Sequence, residues 1–309
     1  MEQVKRSADG VIAAICAYVF WGVLPIYWKL IAGVPADQIL AHRIFWSFIF
    51  MAAVIMFMNR SKAVFAECRQ VAASPKKFLG MAAGALLISV NWFVYIWAVN
   101  DNRVIETSLG YYINPLLNVL IGIIILHEKL SFWQLVSVGL AAVGVLNMTL
   151  HFGAVPWVSL VLAVSFSLYG LCKKVAGITA ITGITLETLM IAPVALGYLV
   201  YLQIDGSAVA LTFSVTSALL IGAGIVTAIP LLLFASGAAK LSLTVLGLIQ
   251  YVSPTIGLML GIFLFHEEFT LVHFISFAFI WLALIVFSLS KTALFTQLEM
   301  FILKKRCME

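Results

Sequence analysis

Long apolar runs dominate the sequence, and they restrict the fold more than any other feature. A helix needs about 20 predominantly apolar residues to cross the hydrocarbon core of a bilayer. Ten runs of about that length can be read: 10–30, 37–58, 78–99, 104–126, 132–150, 154–174, 182–203, 216–238, 243–265 and 270–290. Membrane β-strands would be about 10 residues long and would alternate in polarity, whereas these runs do not alternate. The sequence therefore predicts an all-α membrane protein with ten transmembrane helices.

The composition agrees with this prediction and excludes several functional classes. Of the 309 residues, 63% are hydrophobic and 10% are charged, against about 25% charged residues in soluble proteins. The four cysteines are too far apart to suggest a disulfide framework or a zinc site. The sequence contains no HExxH, GxSxG or Walker motif, so catalytic residues are not indicated. We expect no cofactor, no metal and no nucleic-acid partner.

Basic residues are distributed unevenly between the two predicted sides of the membrane. Ten spans place both termini on one side, which would carry 15 of the 18 Lys and Arg residues. The opposite side would carry Lys29 and Arg103, while Arg43 lies within span two. Because cytoplasmic loops carry the positive excess, we predict that both termini are cytoplasmic.

The two halves of the chain contain a related segment, which indicates an internal repeat. Residues 109–128 (LGYYINPLLNVLIGIIILHE) and 248–267 (LIQYVSPTIGLMLGIFLFHE) align without gaps and share seven identities, among them a proline and a final His-Glu. Because each half has five spans, an odd number, the second half must insert upside down. We predict two inverted five-helix repeats, 8–150 and 154–290, followed by a cytoplasmic tail, 291–309. Inverted repeats are typical of secondary transporters.

Several segments resemble the drug/metabolite transporter superfamily, in its EamA-type branch. The stretches AYVFWGVLPIYWKL (17–30), PADQILAHRIFWSF (35–48), NWFVYIWAVN (91–100) and SLGYYINPLLN (108–118) are similar to the RarD subgroup of chloramphenicol-sensitive permeases. The resemblance implies a ten-helix carrier of the bacterial inner membrane that exports its substrate. One departure is visible, because repeats of this branch commonly end in Gly-Glu whereas this chain has His-Glu twice.

Two prolines fall near the middle of spans four and nine. Pro115 and Pro254 cannot donate an N–H, and each displaces the carbonyl four residues earlier, at Tyr111 and Gln250. Such carbonyls must find partners or line a water-filled cavity, and a symmetric pair of broken helices indicates a transporter's binding site. Polar neighbours would line that site: Asn114, Asn118, Gln250, Tyr251 and Ser253. The alternative is a pair of kinks that serve packing only.

Arg43 is the charge placed deepest in a predicted span. Inserting an arginine at the centre of a helix costs about 2.5–3.5 kcal/mol, so such residues usually face a cavity or a partner. Glu106 enters span four from the same face and is the expected counter-ion. His42 has an ordinary pKa of about 6.5, which would suit proton coupling. Arg43 and Glu106 could instead form a purely structural clamp.

Glu187 is the only carboxylate well inside the second half of the chain. It occupies the position that His42 has in the first repeat, and it is a candidate proton carrier. The alternatives are an interfacial side chain or an ion pair with Lys173 or Lys174. A second group of residues lies deeper than the interfacial aromatic belts and could form an aromatic pocket: Trp21, Asn91, Trp92, Tyr111 and Tyr251.

These observations together predict a secondary carrier for a small amphipathic metabolite or drug, driven by protons and working by alternating access. An intramembrane enzyme and a pore-type channel are the alternatives. Channels favour charge rings or carbonyl filters built from several subunits, which this chain does not suggest. The sequence allows a homodimer and does not identify the substrate.

Overall fold

The computed structural model describes residues 2–126, 131–209, 211–238, 240–241, 245–246, 249–290, 292, 295 and 297. Within these ranges the regular structure is helical. The helices are α1 (Glu2–Lys29), α2 (Ala36–Phe57), α3 (Ser61–Ala72), α4 (Pro75–Asn100), α5 (Val104–Leu126), α6 (Phe132–Phe152), α7 (Trp157–Ala176), α8 (Ala180–Asp205), α9 (Val215–Ala238), α10 (Val252–Met259), the π-helix π1 (Leu260–Leu264) and α11 (Leu271–Leu289).

Eight of the described helices are long and apolar enough to cross a membrane: α1, α2, α4, α6, α7, α8, α9 and α11. Apart from the start of α1, their ends lie within about three residues of the predicted spans, and α5 matches its predicted bounds. The all-α membrane class is therefore confirmed. The count of ten spans stays a prediction. The first His-Glu pair, at 127–128, and most of the predicted tail 291–309 lie outside the described residues.

The prediction for span nine was wrong in one respect, because no single helix runs through its described part. A turn at Gln250 and Tyr251 precedes α10, which begins at Val252 and continues into π1. Pro254 therefore lies in the first turn of a short helix and not in the middle of a long one. A proline is tolerated there because the first N–H groups of a helix have no partner within it. Pro115 lies inside α5 as predicted.

The segment between spans two and three contains a helix that the hydropathy pattern did not indicate. In α3, Val71 is buried whereas Phe65 is 73% exposed. Val71 packs with Met81 of α4 and Leu186 of α8. This short amphipathic helix therefore covers one end of the bundle and does not cross it.

Among the helix pairs that join the two halves of the chain, three have partners that demonstrably run in opposite directions. The pairs are α2 with α8, α5 with α10, and α6 with α11. Their directions follow from residues that lie together. In α2 and α8, Asp37 contacts Tyr198, and Met51 shares a core cluster with Ile184. The matched contacts of the other two pairs are Ser108 with Gly257 and Tyr112 with Thr255, and Gly144 with Ile280 and Asn147 with Ser276. Other pairs also join the halves, among them α1 with α9, α4 with α7, α2 with α9 and α5 with α7.

Helices α2 and α9 cross very close to each other at Gly224. A Cβ atom placed on Gly224 would collide with the main chain of Trp46 and lie 2.5 Å from the backbone nitrogen of Ser47. The Ser47 hydroxyl also donates a hydrogen bond to the Gly224 carbonyl, at 3.4 Å. Because α2 carries Arg43, this crossing fixes the helix on which the candidate site depends.

Candidate functional site

Arg43 lies inside the bundle, surrounded by aromatic rings. It is the eighth residue of α2, about 10 Å along the helix from its start, and only 4% of it is exposed. Its guanidinium carbon lies 4.2 Å from the centre of the Trp92 ring and 5.0 Å from that of Trp28. The phenol groups of Tyr95 and Tyr111 are close enough to interact with its charge. We call these five residues the Arg43 cage.

The Arg43 cage contains hydrogen-bond donors that have no partner among the described residues. These donors are Nε and Nη1 of Arg43 and the indole Nε1 of Trp28. Cation–π contacts stabilise a buried guanidinium without satisfying its N–H groups. The cage therefore offers a positive charge and free donors at a depth where water is scarce.

The predicted pairing of Arg43 with Glu106 was wrong. Glu106 instead forms an ion pair with Arg103, with hydrogen bonds of 2.8 and 2.9 Å. The two residues lie three positions apart at the start of α5, where side chains on one helix face meet directly. Glu106 is thus engaged at the end of the bundle, away from the cage.

Asn91 anchors one side of the cage to helix α7. Its amide nitrogen donates to the Leu162 carbonyl and to the Ser165 hydroxyl, both at 2.9 Å. Its amide oxygen accepts a hydrogen bond of 3.2 Å from the Tyr111 hydroxyl. Asn91 therefore orients Tyr111, and both ends of its amide already have partners.

Asn114 has an equivalent structural role one helix away. Its amide donates to the Ala163 carbonyl at 3.1 Å and to the Ser167 hydroxyl at 2.9 Å, and its oxygen accepts from Asn118. The neighbouring Pro115 is buried in the same part of α5. Asn114 thus holds α5 against α7 beside Pro115.

The other predicted site residues lie outside the Arg43 cage. Trp21 packs in an aromatic cluster with Tyr18 and Phe234. Tyr251 stacks on Tyr112, whose hydroxyl shares a hydrogen bond of 2.6 Å with Thr255. Three more candidates lie next to Tyr251 in the chain, in the turn before α10 and in its first turn: Gln250, Ser253 and the buried Pro254.

His42 points away from its neighbour Arg43, because consecutive residues of a helix are about 100° apart. It lines a groove of about 210 Å³ between α2 and α8, together with Gln38 and Trp46. Its Nδ1 atom has no hydrogen-bond partner among the described residues. The imidazole is buried but does not belong to the cage.

Glu187 forms a buried ion pair, which is one of the alternatives left open by the sequence. Its carboxylate lies 2.6 Å from the Lys173 ammonium and accepts a hydrogen bond of 3.1 Å from the Tyr169 hydroxyl. Glu187 is 4% exposed and Lys173 28%. Glu187 is the eighth residue of α8, as Arg43 is of α2. Two buried charges of opposite sign therefore lie equally far from the starts of two antiparallel helices.

Trp28 and Tyr95 belong to the cage but were absent from the sequence prediction. Trp28 stands next to Lys29 at the end of span one, where tryptophan is ordinarily interfacial. Its spacing of seven residues from Trp21 puts both on one face of α1. Tyr95 likewise follows Asn91 by four residues. Helical spacing from residues already selected was the signal that would have found both.

Glu267 joins the two halves of the chain at one end of the bundle. Its carboxylate oxygens accept hydrogen bonds from the backbone N–H groups of Val104 and Ile105, at 2.7 and 2.8 Å, and so cap the start of α5. Burial raises the pKa of Glu267 above its ordinary value, although these two N–H groups and the Lys29 ammonium act in the opposite direction. A carboxylate of the second half of the chain thus caps α5, the helix of the first half that carries Tyr111.

Removing this cap should lower stability. We expect Glu267→Ala to reduce the free energy of unfolding by about 1–2 kcal/mol, because two N–H groups at a helix start lose their acceptor. The measurement is the thermal midpoint of the full chain in detergent. Glu268→Ala is the matched control, because Glu268 is the exposed neighbour. Equal midpoints for the two variants would contradict the capping role.

His266 precedes this glutamate and has a left-handed backbone conformation, with φ of 55°. Residues other than glycine adopt this conformation at a cost of about 1–2 kcal/mol. The sequence departure from Gly-Glu to His-Glu therefore falls where glycine would relieve strain. A left-handed residue after a helix is the usual glycine position at a helix end.

We expect His266→Gly to raise the free energy of unfolding by up to about 1 kcal/mol, since glycine adopts positive φ readily. His151→Gly should lower it by about 0.5–1 kcal/mol, because His151 lies in the last turn of α6. Thermal midpoints of both variants in detergent test the pair. A lower midpoint for His266→Gly would show that the His266 side chain stabilises the protein by more than its left-handed backbone conformation destabilises it.

In the described part of the chain, no three side chains of His, Cys, Asp or Glu are grouped as a metal site would require. The Arg43 cage and the Glu187–Lys173 pair are therefore the two buried charged sites from which a function can be argued.

Comparisons with known proteins support a transport function. Residues 8–150 match the EamA-like transporter family. The chain is 47% identical to the uncharacterized transporter YojE of Bacillus subtilis over 94% of its length and 96% of the relative's. It is 41% identical to protein RarD of Escherichia coli K12, over 95% and 97%, and 27% identical to the chloramphenicol-sensitive protein RarD of Pseudomonas aeruginosa, over 92% and 94%.

A solved crystal structure has a similar fold. The TM-score is 0.59, the sequence identity is 18%, and the match covers 93% of this chain and 99% of the other. At this identity the likeness concerns the fold alone.

Proposed function

The chain belongs to the EamA-like transporter family and is a multi-pass membrane transporter of bacterial type, and on that basis we propose that it is a secondary carrier that works by alternating access. Its substrate is a small amphipathic metabolite or drug, and export driven by protons is the proposed mode. Membership of a family of transporters also implies that the chain is not an enzyme.

The proposed architecture is a pair of inverted five-helix halves, 8–150 and 154–290. The packing supports it, because an axis within the membrane plane makes equivalent helices antiparallel, and α2/α8, α5/α10 and α6/α11 are all antiparallel pairs. The contact of α4 with α7 also has its counterpart in the contact of α9 with α1. Such halves alternate by rocking around a site between them.

The Arg43 cage is the proposed substrate site, and it is the observation that carries the proposal. A charged residue deep in a span usually serves a pathway or a partner, and among the described residues Arg43 lacks an ionic partner. Its aromatic walls suit the apolar part of an amphipathic solute. Asn91 and Tyr111 shape one wall of the cage.

Glu187 is the proposed proton carrier. It is buried in α8 as far from the helix start as Arg43 is in α2, and Lys173 and Tyr169 hold its carboxylate. Protonation of Glu187 would remove its attraction to Lys173 and loosen α8 from α7. Because α8 packs on α2, a change in this pair can reach the helix that carries Arg43.

The proposed location is the bacterial inner membrane with both termini in the cytoplasm. The excess of Lys and Arg on the terminal side supports this orientation. Lys29 and Arg103 then lie at the outer face, where Lys29 donates to Asn102 and Arg103 pairs with Glu106.

Counterflow in proteoliposomes tests the carrier function. The purified full chain is reconstituted with a preloaded unlabelled solute, and uptake of the labelled solute is followed for amino acids, amines, carboxylates and phenicol drugs. We expect saturable, trans-stimulated uptake for at least one class. Conductance that does not saturate would indicate a pore, and uptake equal to that of empty liposomes for every class would contradict the proposal.

A further inference from the structure

Two arginines are held between pairs of tryptophan rings, but only one of them has a carboxylate partner. Arg103 lies 5.5 Å from the Trp97 ring centre and 5.4 Å from that of Trp157, and it forms two hydrogen bonds to Glu106. Arg43 lies closer to its two rings and is almost completely buried. No Asp or Glu of the described ranges is within ion-pair distance of it. The more deeply buried arginine is therefore the one that the protein leaves uncompensated.

The unsatisfied groups in the Arg43 cage are all hydrogen-bond donors. Nε and Nη1 of Arg43 and Nε1 of Trp28 lack an acceptor in the described part of the chain. The amide oxygen of Asn91 accepts from Tyr111 instead. Buried donors without partners are costly, and a buried charge without a counter-charge is more so. A cation with free N–H groups on two neighbouring side chains matches the oxygens of an anion.

We propose that Arg43 and Trp28 bind the carboxylate of the transported solute, which is therefore a monovalent anion with an apolar or aromatic body. This inference rests on the proposed function and specifies its substrate class. The planar guanidinium can hold both oxygens of a carboxylate. The faces of Trp92 and Tyr95 contact the apolar body.

The charge balance selects a carboxylate over a phosphate ester. One guanidinium neutralises one carboxylate, whereas a phosphate monoester carries close to two negative charges at neutral pH. A dianion would therefore keep an unbalanced charge inside the bundle.

Binding of matched probes to the purified full chain in detergent tests the inference. The probes are 3-phenylpropionate, the neutral 3-phenylpropionamide, the cationic 3-phenylpropylamine and phenyl phosphate. Tryptophan fluorescence is the readout, because Trp28 and Trp92 both contact the guanidinium, and the shift of the thermal midpoint is the second. We expect saturable binding of 3-phenylpropionate only. Equal binding of the amide, or preference for the amine, would overturn the proposal.

Variants locate the binding at the cage. Arg43→Gln should weaken 3-phenylpropionate binding by about tenfold to a hundredfold, the loss expected for a charge-assisted hydrogen bond. Arg103→Gln is the matched control, since it removes an arginine that also contacts two tryptophans, and it should bind like the parent chain. Arg43→Lys keeps the charge without the planar fork and should fall between them. Unchanged binding in Arg43→Gln would overturn the assignment even if the ligand is an anion.

The two proposals can fail separately. If an amine or a neutral drug shows counterflow and 3-phenylpropionate does not bind, the carrier function stands and the anion assignment is wrong. If 3-phenylpropionate binds at Arg43 but no solute shows counterflow, the anion site stands and the carrier function is wrong. Should Arg43→Gln fail to yield folded protein, the preference of the parent chain among the four probes still decides the inference.

Discussion

Glu187→Gln should abolish transport driven by a pH gradient and leave an exchange that needs no proton. Glutamine keeps the size of the side chain and its contact with Tyr169, but it cannot release a proton. The ion pair with Lys173 is lost at the same time. We therefore expect accumulation against a gradient to fall to the level of empty liposomes, while counterflow at equal pH persists.

The measurement is uptake into proteoliposomes with and without an imposed pH gradient. Glu67→Gln is the matched control. Glu67 belongs to α3, and its carboxylate lies near the start of α8, the end of that helix at which Glu187 also lies. There it accepts hydrogen bonds from Thr179 outside the bundle. It should keep gradient-driven uptake. Gradient-driven uptake in Glu187→Gln equal to that of the parent chain would remove Glu187 from the coupling mechanism.

Gly224→Val should prevent normal assembly of the bundle. The added Cβ would collide with the main chain of Trp46 and Ser47 in α2, and a backbone cannot move aside as a flexible side chain can. Overpacking costs about 1–3 kcal/mol where side chains can shift, and we expect more than about 3 kcal/mol at this crossing. Displacement of α2 would also move Arg43 out of its cage.

Monodispersity after detergent extraction and the thermal midpoint measure this effect. Gly197→Val is the matched control, because a Cβ at Gly197 of α8 would meet no atom within 4 Å. That variant should be extracted like the parent chain. A monodisperse Gly224→Val protein with an unchanged midpoint would show that α2 and α9 are not packed as closely as described.

The apolar runs were sufficient to predict most helices, because a bilayer sets both their length and their polarity. The break before α10 was harder to predict, although Pro254 was recognised as a helix breaker. A proline gives the same sequence signal in the first turn of a helix and in its middle. Only the structure shows that a helix begins two residues before Pro254. Pro115, in a continuous α5, is the contrasting case.

The candidate site was predicted in part. Arg43, Trp92 and Tyr111 were selected because charged and aromatic residues deep in a span are unusual, and the structure brings them together. The predicted counter-ion of Arg43 was wrong because Glu106 pairs with Arg103, three residues away. The hydropathy pattern does not show which of the two arginines Glu106 would choose. Trp28 was missed because its place beside Lys29 has the composition of an interface.

The most direct test of the account is the membrane side of two equivalent loops. Gly33 lies between α1 and α2 and Thr179 between α7 and α8, and both positions are exposed. Single cysteines at these positions, in a chain whose native cysteines are replaced, are labelled with an impermeant maleimide in intact cells and in inverted vesicles. Inverted halves predict labelling of Gly33→Cys from outside and of Thr179→Cys from inside. Labelling of both from the same side would contradict the inverted architecture and the alternating access that depends on it.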